Sequence, residues 1–126
     1  MQNINRHPER EVHEKVIDLY NEMQKKIKEL NISIKKLRET GTEYAEAERD
    51  YKITLRQEAL KLRAEKGMPV TLIQQVVYGV PEVAAKRFQR DVKEAIYQAN
   101  QEAINSTKLQ IRIIESQLNR EWTSNK

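Results

Sequence analysis

Eight cations carry the most suggestive chemistry in this sequence. Arg49, Lys52, Arg56 and Arg63 recur at steps of three, four and seven residues. At 100° per residue they fall within about 60° of arc on one helix face. Lys86, Arg87, Arg90 and Lys93 form a second cluster. Cationic heads ranked along a helix suit the phosphate oxygens of a nucleic acid, where charge neutralisation drives binding. Tyr44, Tyr51 and Tyr97 offer rings on which unpaired bases could stack. The alternative is internal: arginine stems lie over apolar neighbours while their heads pair with glutamates of an adjacent helix. From Thr42 to Lys66 there are six acidic and six basic residues, so both arrangements stay open.

Other chemistry finds little footing. His13-Glu14 opens like a zinc-protease helix, but the second histidine required four residues on is replaced by Ile17. His7 stands beside Pro8 near the terminus. Gly41, Gly67 and Gly79 are isolated, so no glycine-rich loop exists to cradle phosphates. The carboxylates sit on polar helical faces, without the apolar surroundings that would raise a pKa for acid–base work. With no cysteine, thiol catalysis and disulfides are excluded. The expectation is a protein with no catalytic residues, no metal and no cofactor.

The elements that must position the cations read as helices. The 126 residues are 38% hydrophobic, 33% charged and 6% aromatic, with a formal charge of +4; that balance fits long amphipathic helices. Pro81 suits a first helical position, and the forty residues after it hold no glycine or proline. The spacing predicts an apolar stripe of Ala84, Phe88, Val92, Ala95, Ala99, Ala103, Thr107, Ile111, Ile114, Leu118 and Trp122. An earlier stripe of Val12, Val16, Leu19, Met23, Ile27, Leu30, Ile34 and Leu37 predicts a first helix with one stutter near Met23. Thr40-Gly41-Thr42 reads as a break, after which Tyr44, Tyr51, Leu55, Ala59 and Leu62 form a second helix, with Ile53 and Leu60 on another side. The three glycines are each expected to end a helix in the left-handed conformation. Thr71 and Gln74 form a capping-box pattern, so a short helix should plug the bundle end with Leu72, Ile73, Val76 and Val77. Asn100, Asn105, Ser106 and Thr107 mark a bend or a register-fixing polar layer.

The expected fold is therefore all-α: an antiparallel bundle or coiled coil of three long helices (about 9–39, 42–66 and 81–122), with a short helix at 71–78. It forms a single domain, 1–126, with frayed ends at 1–8 and 123–126. The third helix outruns the second by about 25 Å at 1.5 Å per residue. Ile111, Ile114, Leu118 and Trp122 lie on that overhang and predict an oligomer interface, a dimer being the commonest closed form. No apolar run is long enough for a membrane span and no signal core precedes the first helix, so a cytoplasmic protein is expected.

Tyr51, Leu55-Arg56, Leu62-Arg63-Ala64-Glu65-Lys66-Gly67, Pro69-Val70-Thr71-Leu72-Ile73, Ala84-Ala85-Lys86-Arg87 and the run Leu109 to Trp122 resemble small helical proteins of prophages and tailed phages of Gram-positive bacteria. The likeness spans residues 51–122 and implies a bacterial host-cell cytoplasm. In size, helicity and basic charge the chain is more loosely similar to the recombination mediators of T-even phages, oligomeric helical proteins that bind single-stranded DNA. Three classes of function follow. The first is a nucleic-acid-binding accessory, on DNA or RNA, of phage DNA metabolism or recombination. The others are a protein-binding module, such as a phage inhibitor of a host or defence enzyme, and a structural coiled-coil adaptor.

Overall fold

The computed structural model describes residues 8–124. Helix α1 runs Pro8–Lys66, α2 runs Val70–Val76, a 3-10 turn follows at Val77–Gly79, and α3 runs Pro81–Ser124. The fold is all-α, but it has two long helices where the sequence suggests three. The expected fraying of 1–8 and 123–126 lies outside the described residues, except at Pro8, Thr123 and Ser124, which are helical.

The break at Thr40-Gly41-Thr42 is absent, and local contacts explain why. The Thr40 and Thr42 hydroxyls turn back onto the helix, with the Leu37 carbonyl at 3.2 Å and the Arg38 carbonyl at 2.8 Å. Gly41 keeps an ordinary negative φ, and a Cβ there would stand 3.1 Å from Cε1 of Tyr97. The glycine makes room for an aromatic ring on α3. Its cost in helix propensity, about 1 kcal/mol, is a local weakness that packing overrides.

A strict heptad runs through that point. Steps of four and three from Val12 through Val16, Leu19, Met23, Lys26, Leu30, Ser33, Leu37, Thr40, Tyr44, Ala47, Tyr51 and Thr54 to Glu58 meet only buried or half-buried residues. No stutter is needed at Met23, because the seam passes through the polar Lys26 and Ser33, while Ile34 is 46% exposed. On α3 the seam runs through Val83, Lys86, Arg90, Lys93, Tyr97, Asn100, Ile104, Thr107, Ile111, Ile114, Leu118 and Glu121, again all buried or half-buried. A seven-residue period keeps such a seam turned toward its partner helix. The line expected in the first half of α3 is the wrong one: Ala84, Phe88, Val92, Ala95, Ala99 and Ala103 are all exposed. An apolar stripe misled the reading because the helix carries two stripes, and the polar one faces α1.

The chain forms two compact units: Met1–Lys35 with Glu102–Lys126, and Lys36–Gln101. In the second unit the helices pair antiparallel. Thr40 faces Asn100, Tyr44 faces Tyr97, Glu43 faces Lys93 and Tyr51 faces Arg90. Its core is Tyr51, Leu62, Ile73, Val77 and the fully buried Val83, with Leu55, Ala59, Met68 and Val80 against them. The short helix thus contributes Ile73 and the 3-10 turn Val77, while Leu72 and Val76 stay 43% and 39% exposed. Thr71 caps nothing. The N-cap is Pro69, whose carbonyl accepts from the Leu72 and Ile73 amides at 3.0 Å.

Gly67 is the one described residue with positive φ, at 58°; Gly79 stays in the 3-10 turn without it. The Gly67 amide donates to the Arg63 carbonyl at 3.1 Å, a left-handed C-terminal cap. Gly67→Val should cost about 1 kcal/mol or more through backbone strain alone, since nothing lies within 4 Å of a Cβ there. Thermal unfolding of the variant checks this, with a lower melting temperature expected.

In the first unit, Ile104 and Ile114 are buried and Ile111 and Leu118 half-buried. The expected overhang does not exist, because α1 is long enough to supply covering residues at this end. Ile114 therefore lies in this chain's own core, with Ile111 and Leu118 partly covered beside it; Trp122 alone of the four is exposed, at 65%.

Candidate nucleic-acid interface

Heptad position decides which of the eight cations reach solvent. Arg49, Arg56 and Arg63 recur every seven residues at the position farthest from the α1 seam, with Lys52 between the first two. All four are exposed. Their partners are local: Arg49 reaches Asp50 at 3.3 Å and Lys52 reaches Glu48 at 3.7 Å. Arg63 donates from Nη1 to the Met68 carbonyl at 3.0 Å, steadying the chain just past the helix end. None of the four pairs with a glutamate across a helix interface, so that alternative does not hold for this row. Exposed same-helix pairs are worth little and yield readily to a phosphate. Lys52 and Arg56 flank a shallow groove floored by Ile53, which is 48% exposed; Leu60, at 68%, extends the apolar flank.

The second cluster has another role. Arg90 and Lys93 occupy seam positions. The Arg90 guanidinium lies 4.6 Å from the Tyr51 ring centroid and pairs with Asp91 at 2.8 Å. The hydrogen bond to Asp91 raises its pKa above the ordinary arginine value, so it stays a cation. Lys93 pairs with Glu43 across the helices at 3.1 Å. Arg87 lies 5.7 Å from the Tyr78 ring centroid, and Lys86 is a half-buried seam residue. Arg90 and Lys93 thus hold α3 against α1, and the eight cations do not form one surface.

The tyrosines also turn inward. Tyr44 and Tyr97 stack on each other with centroids 5.9 Å apart and planes at 28°, and Tyr51 is 6% exposed beneath Arg90. Removal from water, ahead of the charges of Glu48 and Glu94, raises the Tyr44 pKa above its ordinary value. All three rings are therefore engaged by other residues of the chain.

Asn100 supplies the expected polar layer. Thr40, 6% exposed, donates its hydroxyl to Asn100 Oδ1 at 2.8 Å. Such a layer favours one register of the helix pair over its neighbours. Asn105 and Ser106 are exposed, and the Thr107 hydroxyl returns to the Ala103 carbonyl at 2.9 Å. This seam pair was legible only in part, since Thr40 reads in sequence as part of a break.

Among the described residues no group of three or more His, Asp or Glu stands ready to hold a metal, and no helix is long and apolar enough to cross a membrane. Comparison of the chain with family models, with curated proteins and with solved structures finds no match.

Proposed function

We infer that this protein acts by binding rather than catalysis, and that the outer face of α1 in the Lys36–Gln101 unit binds the phosphate backbone of a nucleic acid. One observation carries the reading: Arg49, Lys52, Arg56 and Arg63 lie on one helix face, exposed and free of cross-helix partners. Their spacing fits contact along a strand, and with Tyr44, Tyr51 and Tyr97 engaged within the helix pair the binding is chiefly electrostatic. The resemblance to phage proteins supports a setting in phage DNA metabolism or recombination, in a bacterial cytoplasm. A second reading, a protein-binding module, is supported by the exposed apolar outer face of α3.

The test is fluorescence anisotropy of the full chain with labelled single- and double-stranded DNA and RNA. Four phosphate contacts predict an affinity that falls about 150-fold on duplex between 50 and 200 mM salt, from a slope of about −0.9 per contact. No binding to any of the four probes at low salt would overturn the reading in favour of a protein partner.

A further inference from the structure

The arginine row on α1 is not purely cationic. Arg49, Ile53, Arg56, Leu60 and Arg63 follow at steps of four, three, four and three, so cation and apolar side chain alternate along one stripe of the helix. All five are exposed, Ile53 at 48% and Leu60 at 68%, and none is a seam residue. Between Lys52 and Arg56 lies a hollow of about 150 Å³ with Ile53 in its wall. A cavity of about that volume has room for one benzene-sized ring.

We propose that this stripe binds single-stranded nucleic acid in preference to duplex, with unpaired bases lying on Ile53 and Leu60 while Lys52 and the arginines hold phosphates. The inference rests on the phosphate-binding reading of the row and adds the form of the strand. A single strand alternates charged phosphates with bases whose flat faces, once unstacked, stand in water. Aliphatic side chains set between cations can cover those faces and leave water themselves. A duplex closes its base faces inside the stack, so Ile53 and Leu60 would find only base edges and charged backbone. Charge alone gives the opposite order. Duplex carries the denser line of phosphates, and each contact on it has a salt slope of about −0.9 against about −0.7 on a single strand. A preference for single strands therefore reports on the apolar residues rather than on the arginines.

The test compares the full chain with its Ile53→Ser, Leu60→Ser double variant by fluorescence anisotropy. The probes are labelled oligothymidylate, which cannot pair with itself, and a duplex of equal length at the same salt concentration. The wild type should bind oligothymidylate about tenfold more tightly than duplex. The double variant should lose about tenfold on oligothymidylate, the scale of partly burying two aliphatic side chains, and keep its duplex affinity. Its salt slope on oligothymidylate should stay near −2.8, four contacts at about −0.7 each, because no charge is removed. Helicity and melting temperature should match the wild type, since both side chains are exposed. Duplex bound as tightly as oligothymidylate would overturn the inference and leave the phosphate reading standing. So would a double variant that binds oligothymidylate like the wild type, or one that weakens on both probes alike. No binding of the wild type to either probe would overturn the phosphate reading and the inference together.

Discussion

Ile114→Asp should unfold the helix pair made by the N-terminal part of α1 and the C-terminal part of α3, at a cost of about 3 kcal/mol or more. Ile114 is 4% exposed, and in its unit only Ile104 is comparably buried among the described apolar residues. The substitution removes most of the apolar burial at that level and places a carboxylate in the seam between the two helices. Ile113→Asp is the control. The neighbouring side chain is 50% exposed, so its change should stay within about 0.5 kcal/mol. Native-state hydrogen exchange separates local from global effects. Amides of residues 8–35 and 102–124 should lose protection in the Ile114 variant, while those around Tyr51, Leu62 and Val83 keep theirs. Wild-type melting of Ile114→Asp would show that the side chain lies outside the core. A lowered oligomer mass with unchanged melting would instead restore the intermolecular contact that the sequence suggests for this end.

That contrast shows where the sequence was informative. Glycine and proline punctuation located the end of α1 at Gly67 and the start of α3 at Pro81, because those conformations have few other tenants. The stripe of α1 was legible in part: Val12, Val16, Leu19, Met23, Leu30, Leu37, Tyr44 and Tyr51 lie on the seam as read, while its polar members Lys26, Ser33, Thr54 and Glu58 were not in the pattern. Gly41 was misread because glycine signals both a stop and a close approach, and only the Tyr97 ring distinguishes them. The first half of α3 was misread for a deeper reason. Its seam toward α1 is built from Lys86, Arg90, Lys93, Tyr97 and Asn100, and pattern reading assigns such residues to solvent. Their burial depends on partners some fifty or sixty positions away, Glu43 for Lys93 and Thr40 for Asn100. The arginine row on α1 was legible as a row. What the spacing left open was whether its heads met solvent or another helix, and the extra turns that make α1 continuous place the row opposite the seam.

The proposed function rests on that placement, and replacing Arg49, Arg56 and Arg63 together with Gln tests it most directly. Each side chain is exposed, and the ion pair of Arg49 with Asp50 is a surface contact of little worth. The hydrogen bond from Arg63 to the Met68 carbonyl is also at the surface. The melting temperature should therefore move by no more than a few degrees. Binding should change greatly. With Lys52 alone left of the four contacts, the duplex salt slope should fall from about −3.6 to about −0.9. The affinity loss between 50 and 200 mM salt should shrink from about 150-fold to about threefold. The decisive measurement is the salt dependence of nucleic-acid binding by the triple variant, with its melting curve beside it. A slope reduced by nearly three at an unchanged melting temperature is the predicted result; an unchanged slope, or a collapse of the fold, would contradict the account.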